Sequence, residues 1–205
     1  MRIFLLGATG KIGTVFLNMA LAKGHHITAY VRSPEKLTIA ENLTIIQGNL
    51  ESIPQMSAAM RDHDVVVSCL GGNDNDQSNV IQKFTELIVA SIKESNVSKI
   101  VAISTAGIHN EFSWVTNFIL TLFYKHVIND HRLTTQVIMT SGLDYTLARP
   151  LSLTEGGLMK SYRKMTIGVP KGGKNISRQD LAHFLLETIE SGDYHNETVG
   201  LAYSE

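Results

Sequence analysis

Three glycines at a spacing of three residues lie near the start of the chain. Gly7, Gly10 and Gly13 occur in the segment GATGKIG, residues 7–13, directly after the apolar run Ile3–Leu6. Gly7 can take a tight turn, Gly10 lets a phosphate approach the backbone, and Gly13 lets a following helix lie close to the strand. That helix would offer its free N–H groups and its positive dipole end to the phosphates. The segment therefore predicts a dinucleotide site, although its spacing is G-x-x-G-x-x-G rather than G-x-G-x-x-G.

The end of the second apolar run indicates which dinucleotide fits. No Asp or Glu occurs at positions 29–33, where an NAD site usually places a carboxylate for the ribose 2′-hydroxyl. Arg32 occurs there instead, and its planar guanidinium suits a 2′-phosphate. Ser33 adds a hydroxyl, while Lys36 and Lys11 add positive charge. The sequence predicts NADP(H) as the cofactor, with solvated surface cations as the alternative for Arg32 and Lys36.

Further candidate contacts follow the other apolar runs. They are Asn49 after the third run, Leu70, Gly71 and Gly72 after the fourth, Ser104 and Thr105 after the fifth, and Pro150 after the sixth. Ligands of parallel sheets bind at the carboxyl ends of the strands, so we expect these residues to line one cleft. Asn49 would then meet the adenine edge, and Ser104 would lie beside the nicotinamide.

Strand-like and helical patterns alternate along the chain and would position these residues. The strand-like runs are Ile3–Leu6, Ile27–Val31, Leu43–Ile46, Val65–Leu70, Ile100–Ile103 and Tyr145–Ala148. Nearly continuous apolar runs are typical of parallel strands that are buried on both faces. The pattern predicts an α/β fold with a Rossmann-type, doubly wound parallel sheet in the order 3-2-1-4-5-6.

The second half of the chain continues without a domain boundary. No linker or repeat divides the 205 residues, so a single domain over residues 1–205 is expected. Residues 151–176 are rich in glycine and predict a loop with one or two short strands on the substrate side. Ser177 is a good N-cap for a helix that reaches about Glu190, and Asp180 takes the place of the capping-box carboxylate. A last strand is predicted over Glu197–Tyr203.

Composition argues against several classes of protein. Hydrophobic residues make up 43% of the chain, and the formal net charge is −1. The sequence contains no block of basic residues, so nucleic acid binding is not expected. No apolar run approaches the roughly 20 residues that span a bilayer, and the immediate start on a strand leaves no room for a signal peptide. The single cysteine, Cys69, excludes an intramolecular disulfide framework and favours a reducing, cytoplasmic location.

Two other groups of residues receive structural interpretations. The eight histidines show neither metalloprotease spacing nor a Cys/His cluster, so surface positions are expected and no metal site is predicted. His131, beside Asp130 on a predicted helix, could approach the active site, but a solvated helix face is the preferred interpretation. The aromatic segment 112–124 is interpreted as a helix on the core or on a second copy rather than as a lid. A monomer or a homodimer is expected.

Together these motifs resemble the atypical short-chain dehydrogenases/reductases of the NAD(P)H-binding, NmrA-like group. The resemblance runs from residues 7–13 through VR at 31–32, STA at 104–106, SGLDY at 141–145 and RP at 149–150 to ISRQDLA at 176–182. Within the group the chain is most similar to flavin reductase/biliverdin-IXβ reductase. That resemblance implies reduction of flavins or open-chain tetrapyrroles by NADPH. The implied cofactor or active-site contacts are Gly7, Thr9, Gly10, Lys11, Ile12, Arg32 and Ser104, with Ser104 as the catalytic residue.

Two departures from the family narrow the chemistry. The Tyr-x-x-x-Lys pair is missing, because Ile128 lies four residues after Tyr124 and Arg149 four residues after Tyr145. Leu151 also stands where the biliverdin reductase has a histidine. We therefore expect an NADPH-dependent reductase of a flavin or a similar flat acceptor. The alternatives are a non-catalytic NADP(H)-binding sensor that regulates a partner protein and, ranked lower, a cofactor-binding isomerase or epimerase.

Overall fold

The computed structural model describes residues 1–71, 80–108 and 128–203. The strands are β1 (Arg2–Leu6), β2 (His26–Val31), β3 (Leu43–Gln47), β4 (Val65–Ser68), β5 (Lys99–Ile103), β6 (Asp144–Pro150), β7 (Ser152–Thr154), β8 (Tyr162–Met165), β9 (Asn175–Ser177) and β10 (Glu197–Tyr203). The helices are α1 (Lys11–Ala22), α2 (Ile53–Met60), α3 (Val80–Glu94), α4 (residues 128–139) and α5 (Arg178–Ser191), with a 3₁₀ turn at Pro34–Lys36.

Eight of these strands form one twisted sheet. Its order is β3-β2-β1-β4-β5-β6-β10-β8, with β8 antiparallel to β10 and the other neighbouring strands parallel. The predicted order 3-2-1-4-5-6 is confirmed, and β10 and β8 extend it. Because β1 lies between β2 and β4, the chain reverses its direction of winding at β1 and leaves a crevice at the carboxyl ends of β1 and β4.

Both faces of the sheet are covered, and β1 shows this within four residues. Ile3 and Leu5 belong to a core shared with α1 and α5. Phe4 and Leu6 belong to a second core on the opposite face, shared with α2 and α3. All four side chains are fully buried. Burial of one such side chain is worth about 1.5–3 kcal/mol, which explains why the strand shows no polar alternation.

The segment between β6 and α5 is more ordered than the sequence predicts. Instead of one or two strands it contains three, because β7 and β9 pair as a separate parallel ribbon and β8 forms the edge of the main sheet. Most residues of β8 are exposed or half-buried. An edge strand of this kind lacks the apolar run that marks the buried strands. The helix α5 follows β9 directly, so this ribbon positions the start of α5.

The start of α5 differs in one respect from a capping box. The Ser177 hydroxyl accepts the backbone N–H of Asp180, which confirms the predicted N-cap. The Asp180 carboxylate does not return to the Ser177 N–H, which donates to the Tyr203 hydroxyl instead. That carboxylate accepts hydrogen bonds from the Tyr203 hydroxyl and from the backbone N–H groups of Met159 and Lys160. The buried carboxylate therefore ties the loop before β8 to α5 and β10.

Candidate functional site

The glycine segment forms a tight turn between β1 and α1. Gly7 has a φ of +78°, and its carbonyl accepts the N–H of Gly10 at 2.9 Å. A Cβ on Gly7 would lie 2.7 Å from the carbonyl carbon and oxygen of Cys69. Glycine at position 7 is therefore required both by its left-handed conformation and by the close approach of β4.

The N-terminus of α1 offers a place for an anionic group. Gly10 is the N-cap, no side chain caps the helix, and no acidic residue occurs in its first turn. Thr9, Gly10 and Lys11 are exposed, whereas Ile12 is half-buried and Gly13 is buried. A Cβ on Gly10 would meet only the Gly7 carbonyl oxygen, at 3.3 Å, so the space above Gly10 is open. Free helix N–H groups beside an open glycine are suited to a phosphate.

An ion-pair cluster lies next to this turn. The Glu155 carboxylate accepts a hydrogen bond from the Arg178 guanidinium at 2.6 Å and lies 3.8 Å from the Lys11 ammonium. Lys11 and Glu155 are about three-quarters exposed, whereas the Arg178 side chain is mostly buried. The contact brings the segment after β7 to the glycine turn. No local sequence signal predicts it, because Lys11 and Glu155 lie far apart in the chain.

Arg32 and Ser33 follow β2 at the same edge of the sheet. Arg32 is exposed, and its carbonyl oxygen accepts a hydrogen bond from the Gln47 amide at 3.4 Å. Within the described ranges its guanidinium forms neither a hydrogen bond nor an ion pair. Ser33 is half-buried and precedes the 3₁₀ turn. The Arg32 guanidinium can therefore bind an anion without breaking a described contact.

Asn49 follows β3 but uses its side chain within its own turn. Its amide oxygen accepts the N–H of Glu51 at 3.1 Å. The Tyr30 hydroxyl donates to the Asn49 carbonyl at 3.1 Å, and a Cβ on Gly48 would lie 2.0 Å from the Tyr30 ring. Burial raises the pKa of Tyr30 and the bond to Asn49 partly opposes it. Tyr30 thus fixes this turn at the edge where adenine is expected.

The residues after β4 have less defined roles. Leu70 is half-buried, and Gly71 is exposed, with nothing within 4 Å of the place that a Cβ would take. Gly72 lies outside the described residues. Burial raises the pKa of the Cys69 thiol to about 12, so this cysteine remains protonated and is unsuited to act as a nucleophile.

Ser104 follows β5 and is paired with a residue on α4. Its N–H donates to the Ala148 carbonyl at 2.8 Å, which continues the pairing of β5 with β6. Its hydroxyl oxygen lies 3.0 Å from the hydroxyl oxygen of Thr135, and both residues are buried. Thr105 is half-buried and Pro150 is buried at the end of β6. One hydroxyl of the pair donates to the other, which holds the Ser104 side chain in one orientation.

The sheet brings most of the predicted residues to one edge. These residues all follow or end parallel strands that run in the same direction. They are the glycine turn, Arg32, Ser33, Asn49, Leu70, Gly71, Ser104, Thr105 and Pro150. Because parallel strands share a carboxyl edge, these residues lie along the edge that also contains the switch point between β1 and β4. An extended dinucleotide that lies across this edge would pass from the Arg32 end to the Ser104 end.

The environment of His131 contradicts the sequence interpretation. The residue is half-buried and its Nδ1 atom is enclosed, so the expectation of a solvated helix face is wrong. Burial lowers the pKa of His131, and the neighbouring Asp130 carboxylate partly opposes that effect. His25 is also buried, with its ring 2.9 Å from the Glu190 carboxylate, so the surface interpretation is wrong there too.

The dehydrogenase tyrosine–lysine pair has no counterpart in the described residues at this edge. Tyr145 is buried near the start of β6, opposite Ile100 of β5, and therefore lies toward the amino edge. Arg149 is buried further along the same strand and donates to the Gly168 carbonyl. Tyr124 and the aromatic segment 112–124 lie outside the described residues. Past the end of β5 the described side chains that contact each other are the hydroxyls of Ser104 and Thr135.

Neither a metal cluster nor a membrane-spanning helix is found in the described part of the chain. Among residues 1–71, 80–108 and 128–203, no three His, Cys, Asp or Glu side chains are placed to hold a metal ion. In the same ranges no helix has the length and apolar character needed to cross a membrane. The His63 ring is used in the fold, since its nitrogens contact the Met60 carbonyl and the Thr28 hydroxyl.

Comparison with known proteins identifies a family and a relative that match most of the chain. A sequence model of a family described as NAD(P)H-binding matches residues 7–192. The chain is 25% identical over 218 residues to YhfK of Bacillus subtilis (strain 168), named an uncharacterized sugar epimerase, and the match covers 98% of this chain and 94% of YhfK.

Two solved structures share the fold over nearly the whole chain. A short-chain dehydrogenase/reductase from Veillonella parvula DSM 2008 in complex with NADP has a TM-score of 0.84 at 20% identity, covering 98% of this chain and 94% of that chain. ChuY, an anaerobillin reductase from Escherichia coli O157:H7, has a TM-score of 0.82 at 19% identity, covering 98% and 97%. At these identities the likeness concerns the fold.

Proposed function

Because the chain belongs to the NAD(P)H-binding family, we propose that it is an NADPH-dependent oxidoreductase that transfers hydride to a flavin or a similar flat acceptor. The observation that carries this proposal is the pairing of two features at one edge of the sheet. An open, uncapped helix start lies at the glycine turn, and the buried Ser104 hydroxyl follows β5. The first suits a pyrophosphate and the second suits a nicotinamide or the ring stacked on it.

NADP(H) rather than NAD(H) is supported by the end of β2. Arg32 occupies the position at which an NAD site would have a carboxylate, and no described residue neutralises its guanidinium. A 2′-phosphate would gain a charge-assisted, bidentate contact there. The complex of the Veillonella relative with NADP supports the same preference by analogy.

The chain's own residues would position the reactants more than react with them. The nicotinamide supplies the hydride when the cofactor is bound. The protein must hold the two flat rings at close range, which the Gly7–Gly13 turn and the Ser104–Thr135 pair can do from opposite ends of the site. Such a transfer requires no nucleophile, which is consistent with the protonated Cys69 and with the absence of a tyrosine–lysine pair from the described edge.

Leu151 favours a flavin over a tetrapyrrole as the acceptor. The residue is half-buried directly after Pro150, and its N–H donates to the Leu201 carbonyl. An apolar side chain can shape the acceptor pocket but cannot donate a proton to a pyrrole ring. The description of ChuY as an anaerobillin reductase supports reductase chemistry for this fold. The choice of a flavin over a tetrapyrrole as the acceptor rests on Leu151.

We also propose that residues 1–205 form a single domain in which residues 151–176 lie on the acceptor side of the cleft. The contact of Glu155 with Lys11 supports this arrangement, because it brings the segment to the glycine turn. A cytoplasmic location and a monomeric or homodimeric state stay predictions.

The test is NADPH oxidation measured with a panel of acceptors: FMN, FAD, riboflavin, quinones and biliverdin. We expect oxidation with the flavins and weaker activity with biliverdin. Bound NADPH without oxidation by any acceptor would contradict the reductase proposal and favour a regulatory sensor. Exchange of solvent deuterium into a sugar nucleotide without net NADPH oxidation would favour an epimerase, the activity in the name of YhfK.

A further inference from the structure

His131 is half-buried, and its Nδ1 atom is enclosed by protein without a hydrogen-bond partner among the described residues. A buried polar atom without a partner costs about 1–3 kcal/mol. Such an atom in a folded protein calls for an explanation, and one explanation is that the residue takes part in binding a ligand. The residue is only half-buried, so the place of His131 in the fold decides what its ring could bind.

The direction of α4 places His131 beyond the carboxyl edge of the sheet. A short turn connects the end of α4 to Asp144, which pairs with Lys99 at the amino edge. The described part of α4 nearest residue 128 therefore lies toward the carboxyl edge. Thr135 is level with Ser104, just past the end of β5. His131 precedes Thr135 by four residues, so it lies on the same helix face about 6 Å further outward.

The neighbours of His131 fix the rotation of the helix. The Asp130 carboxylate accepts two backbone N–H groups in the first turn of α3, at 2.8 and 3.1 Å. The Arg132 guanidinium donates to the Ile108 carbonyl at 2.9 Å. These contacts turn the flanking side chains toward α3 and toward the segment after β5. His131 shares its own direction with Thr135, whose hydroxyl meets Ser104.

Ser104, Thr135 and His131 therefore form a polar row that leads outward from the carboxyl end of β5. The inner members are two paired hydroxyls, and the outer member is an imidazole. Burial favours the neutral ring, which carries one N–H donor and one lone pair and can bind a carbonyl oxygen or a ring nitrogen. Ligands of such sheets bind above this edge.

We infer that His131 is an acceptor-binding residue whose ring forms a hydrogen bond with the polar edge of the flat acceptor above Ser104. The identity of the acceptor rests on the proposed function, and the role of His131 rests on the geometry of α4. The ligand class is a planar heterocycle with a carbonyl oxygen or ring nitrogen at its rim, such as the pyrimidine edge of a flavin. The Ser104–Thr135 pair then serves the inner, nicotinamide side of the same cleft.

The test is the affinity of FMN for the protein loaded with NADP⁺, followed by quenching of flavin fluorescence. His131→Phe keeps a flat ring and removes both nitrogens, and we expect it to raise the Kd for FMN about five- to tenfold. His131→Gln, which retains a donor and an acceptor, should recover part of this loss. The Kd for NADP⁺ should stay unchanged in both variants.

Thermal unfolding separates this role from a structural one. Since His131→Phe removes an unpaired buried nitrogen, its Tm should equal or exceed that of the parent. If His131 were needed for packing or for an internal hydrogen bond, the Tm of His131→Phe would be lower than that of the parent. His26→Phe, at the exposed start of β2 on the amino edge, is the matched control and should leave the FMN affinity unchanged.

Each outcome bears on one of the two proposals. Equal FMN affinity in the parent and His131→Phe would overturn the role of His131, even if the parent reduces FMN. A fall in NADP⁺ affinity to the same extent as FMN affinity would overturn it as well. Binding of FMN that depends on His131 without NADPH oxidation would uphold the role of His131 and contradict the reductase. No binding of FMN by the parent would overturn both.

Discussion

A Cβ atom on Gly13 would lie 2.0 Å from the carbonyl oxygen of Gly7 and 3.0 Å from the α-carbon of Ala8. The same Gly7 oxygen lies 3.3 Å from a Cβ on Gly10 and accepts the Gly10 N–H. Both glycines thus lie next to the same carbonyl, and a side chain at position 13 would approach it more closely than one at position 10. Gly13 is required for the packing of α1 on the turn, whereas Gly10 faces the open space above it.

This difference predicts separate effects for two substitutions. Gly13→Ala should lower the free energy of unfolding by about 1–3 kcal/mol or more, because the backbone of the turn must shift. Gly10→Val should fold with a Tm near that of the parent and lose NADPH binding, because its branched side chain fills the space above the helix start. Denaturant unfolding and NADPH titration of both variants provide the measurements. Retained NADPH affinity in folded Gly10→Val would contradict the phosphate site.

Arg32 provides a prediction on cofactor choice. Arg32→Asp should weaken NADPH binding on the order of tenfold or more, because a charge-assisted contact is lost and a like charge is introduced. NADH affinity should change little, since NADH lacks the 2′-phosphate. Titration of both cofactors checks this, with Arg61→Asp at the end of α2 as the control. Equal affinities of the parent for NADPH and NADH would refute the assignment.

The parts of the fold with local signals were predictable from the sequence. The apolar run of β1, the three glycines and the Ser177 N-cap each occupy neighbouring residues, so propensity and spacing suffice to identify them. The order of the first six strands follows from the alternation of elements together with the rules for parallel crossovers.

Contacts between distant segments were not predictable in this way. Ser104 and Thr135 are 31 residues apart and meet only because β5 lies beneath α4. Tyr203 reaches Asp180 across the end of β10, and the capping-box pattern gives no sign of it. His131 is a polar residue between the charged residues Asp130 and Arg132, which is typical of a surface position. Its burial depends on the packing of α4. Neighbouring polar residues in a sequence say little about which of them the fold encloses.

The hydroxyl pair predicts a modest effect on turnover. Ser104→Ala should lower kcat for flavin reduction about tenfold, because the hydroxyl orients a reactant and takes no part in bond making. Thr135→Val should lower kcat in the same direction, while Thr135→Ser should restore most of the activity. Steady-state rates with saturating NADPH and FMN provide the measurement. An unchanged kcat in Ser104→Ala would remove this residue from the active site.

The Asp180 carboxylate predicts a dependence of stability on pH. Burial alone would raise the pKa of Asp180, but hydrogen bonds from Tyr203, from the N–H groups of Lys160 and Met159, and from Ser177 outweigh burial and lower it. A lowered pKa in the folded state contributes stability above the unfolded value of about 4, and that contribution is lost as the pH falls through the folded pKa. Asp180→Asn should therefore cost on the order of 3 kcal/mol at neutral pH.

The cost of Asp180→Asn should shrink when unfolding is measured in acid. Denaturant unfolding of the parent and the variant at neutral pH and at about pH 3 makes the comparison. Asp193→Asn, at an exposed turn after α5, serves as the control and should show little difference at either pH. A constant difference between parent and Asp180→Asn across this range would mean that the ionised carboxylate contributes nothing special.

Glu155 predicts a gain of affinity on substitution. Its carboxylate lies 3.8 Å from the Lys11 ammonium beside the helix start where the pyrophosphate is expected. Glu155→Gln removes a negative charge from that place and frees Lys11, so NADPH should bind about two- to threefold more tightly at low ionic strength. The gain should vanish at high salt, because both side chains are largely exposed and screened. Glu41→Gln, in the exposed segment before β3, should change nothing. Weaker binding by Glu155→Gln would instead mean that Glu155, held by Arg178, orders the glycine turn for the cofactor.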